Sequence, residues 1–138
     1  MPNLPSLRIG QHIARYPIMQ GAMAVQVSGA SLAGAVANAG GIGLISSFGI
    51  GLNSPYFDQS QKKKRFFEAN QLALIDALEK ARQISPDGII GVNILVATRD
   101  YPTLAQTAAS HGANAIVTGA GMPLALPQYV RDYPEVAL

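Results

Sequence analysis

The stretch from residue 16 to residue 57 contains no charged residue and is interrupted by glycines. An apolar run, Pro17-Ile18-Met19, ends at Gln20-Gly21, and a segment of small residues follows from Ser28 to Ala39. After a glycine cluster, a second apolar run begins at Leu44. Parallel strands that are buried on both faces read as continuous apolar runs, and glycine allows backbone to turn tightly or approach a neighbour closely. The stretch therefore predicts a strand, a close-packed helix and a second, parallel strand.

A membrane span is the alternative for part of this stretch. Residues 29–52 are long enough to cross a bilayer, which takes about 20 apolar residues. Asn38 lies in the middle, however, and the cluster Gly40-Gly41-Ile42-Gly43 would break a helix at its centre. The first residues, Met1-Pro2-Asn3-Leu4-Pro5, lack the apolar core of a signal peptide. We therefore expect a cytoplasmic protein that does not enter the membrane.

Composition narrows the class of protein further. Of the 138 residues, 49% are hydrophobic and 13% are charged, which is typical of a globular chain, here a single domain over residues 1–138. A net charge of +2 does not indicate nucleic-acid binding, and the basic run Lys62-Lys63-Lys64-Arg65 is interpreted as the solvated start of a helix rather than a phosphate patch. The absence of cysteine excludes disulfides, thiolate metal sites and a cysteine nucleophile. We expect no metal site.

The rest of the chain repeats the alternation of strand and helix. The pattern predicts strands at residues 17–20, 43–46, 89–94 and 115–118, and helices at residues 29–38, 61–84, 101–111 and 126–132. Residues 7–14 are interpreted as an extended lead-in, residues 49–56 as a long loop of active-site type, and residues 136–138 as the beginning of a fifth strand. The long second helix is predicted to bury a stripe consisting of Phe67, Leu74, Ala77, Leu78 and Ala81.

Two folds have this alternation. A (β/α)8 barrel needs roughly 200 residues or more, whereas a doubly wound sheet of flavodoxin type fits the length of this chain. Neither a dinucleotide fingerprint nor a P-loop occurs, because the glycine cluster at residues 40–43 precedes a predicted strand instead of opening a helix. The alternation alone leaves both folds open.

Four motifs in order resemble one family. The sequence from Tyr16 to Met23, followed by the small-residue segment from Leu32 to Gly43, resembles the opening of the nitronate monooxygenase (2-nitropropane dioxygenase-like) family. The segments Gly91–Ile94 and Ile116–Pro123 are similar to its third and fourth strand signatures, and the same motifs occur in the related FMN-dependent enoyl-acyl carrier protein reductases. The resemblance implies an α/β fold, a TIM (β/α)8 barrel of which this chain supplies about the first four βα units, with strands in sequential order.

The resemblance also implies an FMN site at the carboxyl-terminal ends of the strands. The residues that match family positions around the flavin are Gly21, Ala22, Met23, Asn93, Gly119 and Gly121. The small residues would let the ring approach, and the amide of Asn93 would offer it a donor and an acceptor, the alternative being a purely structural amide. For the last two glycines, close chain packing is an equal alternative. Gln20 is interpreted as part of the strand end, and His12 and His111 match no family site.

The implied activity is that of a flavin-dependent oxidoreductase acting on a small molecule. A histidine would take the proton next to a nitro group, or a preformed nitronate would be accepted, and O₂ would complete the oxidation to a carbonyl compound and nitrite. Enoyl-acyl carrier protein reduction is the first alternative. The family places its catalytic histidine after the sixth strand and its phosphate loops after the seventh and eighth, so we expect both beyond residue 138. The remaining alternative is a non-catalytic half-barrel that self-associates or pairs with a separate C-terminal half.

Overall fold

The computed structural model describes residues 4–58, 60 and 62–138, with side chains in the second helix described from Arg65 onwards. The elements in chain order are β1 (Leu7–Ile9), β2 (His12–Ala14), α1 (Ala30–Asn38), β3 (Ile42–Ser46), α2 (Lys62–Ile84), β4 (Ile89–Leu95), α3 (Tyr101–Ser110), β5 (Ala115–Gly119) and α4 (Leu126–Tyr129). The first three residues, the predicted helix start at Gln61 and the lysine side chains of the basic run lie outside the described residues.

The central sheet is parallel and runs in sequence order. β3, β4 and β5 form three neighbouring strands in the order β3-β4-β5. A doubly wound sheet of flavodoxin type would place its first strand between the second and the third, in the order 2-1-3-4-5. The α/β class and the sequential order predicted for these three strands are confirmed.

The segment at residues 17–20, predicted as the first strand, is reduced to a single parallel bridge between Met19 and Ile42. Two backbone hydrogen bonds flank this bridge, from Ile42 N to Ile18 O (2.9 Å) and from Gln20 N to Ile42 O (3.0 Å). The next donor, Leu44 N, bonds the Gln20 side chain at Oε1 (3.1 Å) instead of backbone. The segment therefore lies beside β3, but it leaves the sheet at Gln20, where a side chain instead of a backbone carbonyl accepts the next hydrogen bond from β3.

The other edge of the sheet ends in the same way. Ala137 forms an isolated parallel bridge with Ala115 of β5. Its N–H donates to Asn114 O (2.9 Å), and its carbonyl accepts from Ile116 N (2.8 Å). The predicted beginning of a further strand at residues 136–138 thus lies next to β5, as sequential order requires.

The lead-in at residues 7–14 is an antiparallel hairpin of β1 and β2 rather than a simple extended segment. Its turn contains Gly10 with a φ of 53°, a conformation that glycine adopts without cost. Leu7 and Ile9 pack against Ala14 and against the first residues of the neighbouring strands, Ile42 and Ile89. The hairpin therefore covers the amino-terminal end of the sheet.

The helices cover one face of the sheet. α1 lies directly on β3, since a Cβ at Gly43 would stand 1.8 Å from Ala33 O, so only glycine fits there. The main core forms between this sheet face and the helices, and its fully buried side chains include Ile45, Ile90, Val92, Ile94, Leu74 and Leu104. Each predicted helix is present, although α4 ends at Tyr129 rather than Asp132. Among the helices described, none is both long and apolar enough to cross a membrane.

The stripe predicted for α2 is correct in its second half only. Leu74, Leu78 and Ala81 are buried and Ala77 is partly buried. Phe67 remains 43% exposed, contrary to the prediction, because the first turns of α2 extend past the ends of β3 and β4. There its ring lines a cavity instead of the core.

Candidate functional site

The sheet face away from the helices becomes polar only at its carboxyl-terminal end. Parallel register places Ser46 of β3, Asn93 of β4 and Val117 of β5 side by side. Because side chains alternate between faces, this row lies on the opposite face from Val92 and Ile94, which belong to the core under the helices. The candidate site is therefore at the end of the sheet opposite the hairpin.

Asn93 has a free side chain at this position. Its backbone carbonyl accepts hydrogen bonds from Ser47 N (3.0 Å) and Ser47 Oγ (2.9 Å). Its half-buried amide group has no hydrogen-bond partner among the described residues. An amide carries donors and acceptors together, so this group is available to a ligand.

The loop that contains Gly21, Ala22 and Met23 is held by Ser28, which is fully buried. Ser28 Oγ accepts from Met23 N (2.8 Å) and from Gln20 Nε2 (2.9 Å), and it donates to Gly21 O (3.2 Å). Gln20 Nε2 also bonds Gly21 O (2.8 Å), so the Gln20 side chain is a structural element of the loop, as interpreted from the sequence. Sequence reasoning missed Ser28, because its hydroxyl bonds residues 20–23 and does not cap α1, whose N-cap is Gly29.

The same loop contains two strained residues. Val25 and Gln26 have positive φ values of 51° and 64°, a conformation that costs on the order of 1–3 kcal/mol for a residue other than glycine. It is held by the loop after β3, since Val25 N bonds Phe48 O (3.1 Å) and Gln26 Nε2 bonds Ile50 O (2.8 Å). Nothing in the sequence indicates this strain, because β-branched valine disfavours it.

The three glycines predicted near the flavin differ in whether packing within the chain requires a glycine at that position. A Cβ at Gly21 would meet nothing within 4 Å, and one at Gly119 would meet only Leu95 Cδ2, at 3.8 Å. Gly121, in contrast, has a φ of 149°, and a Cβ there would stand 2.9 Å from Val96 Cβ. Packing within the chain thus explains Gly121, whereas the other two glycines leave open space at the end of the sheet.

The row at Ser46, Asn93 and Val117 contains no charged residue. The charged residues Arg99 and Asp100, which follow β4, line a cavity beyond the strand ends. His12 lies in the hairpin and its Nε2 contacts Glu135 O (2.9 Å), while His111 follows α3 and its Nδ1 contacts Thr107 O (3.0 Å). Both are at the amino-terminal end of the sheet. No three His, Cys, Asp or Glu side chains of the described residues come together as metal ligands would.

Two groups with displaced pKa values lie on the surface beyond β3. The Tyr56 hydroxyl donates to Asp76 Oδ2 (2.8 Å), and this bond raises the pKa of Tyr56. Hydrogen bonds from the hydroxyl and N–H of Ser60 lower the pKa of Asp58. Tyr56 is half-buried and Asp58 is exposed, and neither belongs to the row at Asn93.

Taken together, a parallel sheet with its free amide and its loop glycines at the carboxyl-terminal ends of the strands defines an α/β protein with a ligand site at that end. The family of nitronate monooxygenases matches residues 6–131, and the chain belongs to this family. None of the curated proteins matches the sequence.

Two solved structures are similar over most of the chain. FabK from Thermotoga maritima has a TM-score of 0.64 at 24% identity, with 88% of this chain covered. A mutant of the same protein has a TM-score of 0.62 at 25% identity, with 86% covered. In both cases the match covers 32% of the FabK chain, so this chain spans about a third of the length of those structures.

Proposed function

We propose that the chain forms the flavin-facing part of an FMN-dependent oxidoreductase of the nitronate monooxygenase type. Its substrate would be a nitronate or nitroalkane, oxidised with O₂ to a carbonyl compound and nitrite, in a TIM barrel of which this chain supplies about the first four βα units. The observation that carries the proposal is the family match over residues 6–131, because it includes every strand described. The sequential parallel sheet supports the barrel.

The residues at the end of the sheet fit a flavin ring. The open space at Gly21 and Gly119 suits a flat group, and the free amide of Asn93 suits the alternating donors and acceptors of the ring edge. Ala22 and Met23 would contact the ring from the loop held by Ser28. FMN, when bound, supplies the redox chemistry, whereas these residues bind and orient it. None of them carries a charge, so the FMN phosphate would be held elsewhere.

Flavin binding tests the proposal. Asn93→Ala should weaken FMN binding by about tenfold, which corresponds to one hydrogen bond of roughly 1–1.5 kcal/mol. The control, Asn53→Ala, removes an exposed amide in the loop after β3 and should leave the affinity unchanged. Flavin fluorescence during titration of the purified chain measures both. Equal affinity of wild type and Asn93→Ala would contradict the placement of the flavin. Because the phosphate is not held by these residues, we expect weak binding, and a chain purified with stoichiometric flavin would contradict that.

Enoyl-acyl carrier protein reduction is the second candidate, favoured by the two FabK structures that this chain resembles. The two activities differ in the reductant. Addition of NADH without oxygen should bleach the flavin of a reductase, whereas a nitronate monooxygenase should consume O₂ when a nitronate is added. A flavin-loaded protein that does neither would favour a non-catalytic half-barrel.

We also propose that the chain associates with itself or with a C-terminal half-barrel. Apolar side chains at both edges of the sheet support this proposal. Ile18 and Met19 are 54% and 43% exposed beside β3, and Leu138 is 60% exposed beyond β5. Exposed strand edges with apolar side chains favour pairing with another chain.

A further inference from the structure

All four phenylalanines of the chain lie in one region. Phe48 and Phe57 belong to the loop after β3, and Phe66 and Phe67 to the start of α2. The Phe66 ring packs edge-to-face on Phe57 and on Phe67, with centroid distances of 6.2 and 5.6 Å. Phe48 and Phe67 are nevertheless 43% exposed. Aromatic side chains gathered around partly open space mark a place where apolar ligands bind.

These rings border a cavity of about 200 Å³ beyond the ends of β3 and β4. Its apolar walls are Phe48, Phe66, Phe67, Leu95 and Leu104. The buried amide of Asn70 also lines it, but both ends of this amide are bonded within the chain, Oδ1 to Gly51 N (3.0 Å) and Nδ2 to Asp100 Oδ2 (3.0 Å). Ser47, Thr98, Arg99 and Asp100 also line the cavity. The Ser47 and Thr98 hydroxyls donate to Asn93 O (2.9 Å) and Leu95 O (2.8 Å), Asp100 accepts from Asn70, and Arg99 is exposed to solvent. Because the hydroxyls and the amide already have partners within the chain, the walls favour an apolar guest.

The cavity adjoins the candidate flavin site through Leu95. This residue ends β4, two positions after Asn93, and its side chain lines the cavity. Its Cδ2 atom is 3.8 Å from the position of a Cβ at Gly119, where the open space at the end of the sheet begins. One leucine side chain therefore separates the cavity from the place proposed for the ring.

We propose that this cavity binds the apolar part of the substrate, a short alkyl chain or a single ring, while the reacting group lies at the end of the sheet. The location of the reacting group rests on the proposed function; the cavity itself does not. A cavity of about 150 Å³ lined by similar side chains holds one benzene molecule, so this one suits roughly six to eight carbon atoms. The substrate class is thus a nitronate, or an enoyl compound, with an apolar tail of that size.

Straight-chain primary alcohols are the probe. They are added to the purified chain while the methyl NMR signals of Leu95 and Leu104 are recorded. We expect saturable shifts of both signals, and an affinity that rises about fourfold per added CH₂. The rise should stop at roughly six to eight carbons, when the cavity is full.

Two variants and one control test the location. Phe67→Ala removes an exposed wall and should weaken binding of the longest alcohols by about tenfold. Leu95→Phe should fill the cavity and abolish binding. The control, Phe57→Ala, changes a ring that touches Phe66 but does not line the cavity, and the affinity should change by less than about twofold.

The outcomes are distinct for the two proposals. Absence of saturable shifts at Leu95 and Leu104, or binding that Phe67→Ala and Leu95→Phe leave intact, overturns the cavity proposal. A parallel FMN titration tests the flavin separately. Alcohol binding without FMN binding would support the cavity and count against the proposed function, whereas FMN binding without alcohol binding would do the reverse.

Discussion

A buried hydroxyl in α3 has no partner among the described residues. Tyr101 is 5% exposed, its ring packs edge-to-face on Tyr129 at a centroid distance of 5.6 Å, and its OH makes no hydrogen bond. Burial raises the pKa of Tyr101 above its ordinary value. Because the folded state holds the proton more tightly than the unfolded state, the contribution to stability is fully present below about pH 10 and is lost as the pH rises through the higher folded value.

Tyr101→Phe should therefore keep or increase the free energy of unfolding at neutral pH, by up to about 2 kcal/mol, since it removes an unsatisfied buried hydroxyl. It should also lessen the loss of stability at about pH 11. Urea unfolding at the two pH values measures both effects. Tyr16→Phe, in a half-buried ring just after β2, is the control and should change neither by more than about 0.5 kcal/mol. A clear loss of stability at neutral pH in Tyr101→Phe would show that the hydroxyl has a partner.

At the residue scale, the family resemblance pointed to Asn93 and the glycines, and the structure has them at or near the carboxyl-terminal ends of the strands; their role towards a flavin stays a prediction. The motifs did not indicate which of these glycines is required by packing within the chain. At Gly121 a Cβ would clash with Val96, a contact that no local sequence pattern reveals. The role of Ser28 was missed for a similar reason, since one hydroxyl bonds three groups spread over residues 20–23.

Among the elements, α2 is joined to the sheet by one guanidinium group. Arg82 donates to the carbonyls of Ser85, Pro86 and Gly88 (3.3, 3.1 and 2.8 Å) after the end of α2. It also donates to Gly112 O (3.2 Å) and Asn114 Oδ1 (2.8 Å) before β5. Desolvation lowers the pKa of Arg82, although arginine stays charged throughout the usual pH range. The planar fork thus connects the helix end with the starts of two strands.

Arg82→Lys should lower the free energy of unfolding by about 2–3 kcal/mol, because one ammonium group cannot bond both the carbonyls before β4 and the acceptors before β5. Arg131→Lys is the matched control: Arg131 is 79% exposed, its ion pair with Asp132 is 3.7 Å long, and the expected change is below about 0.5 kcal/mol. Urea unfolding compares the two. FMN affinity of the folded fraction should be unchanged in both, since Arg82 lies at the opposite end of the sheet. A loss below 0.5 kcal/mol, within the range of surface changes, would contradict the connecting role.

The helices and the three strands of the sheet were predictable because their signals are local: the spacing of apolar residues, and glycines at the ends of the elements. The hairpin and the first strand were not. The hairpin depends on pairing across Gly10-Gln11, within a segment that has no strong alternation. The strand predicted at residues 17–20 is shortened to one bridge because Leu44 N donates to the Gln20 side chain instead of to backbone. This contact forms only in the folded sheet and has no local sequence signal.

For the whole molecule, the described sheet has one face under the helices and the other covered only at its amino-terminal end. The hairpin packs over Ile42 and Ile89, whereas the row at Ser46, Asn93 and Val117 lies beyond it. Both edges end in isolated bridges with unpaired neighbours in the described chain. A barrel closes such edges with further strands, and a family member of greater length has them available.

We therefore expect the purified chain to associate at micromolar concentration, through the edge beside β3. Met19→Lys places a charge at this edge and should shift the population towards monomer, because an edge lysine opposes strand pairing. Leu32→Lys is the control, since Leu32 is similarly exposed, at 38% against 43% for Met19, but lies on α1. Light scattering with size-exclusion chromatography compares the three proteins. A wild-type chain that is monomeric and melts in one sharp transition would contradict the pairing. So would equal dissociation by both lysine variants, because general charge rather than the edge would then control association.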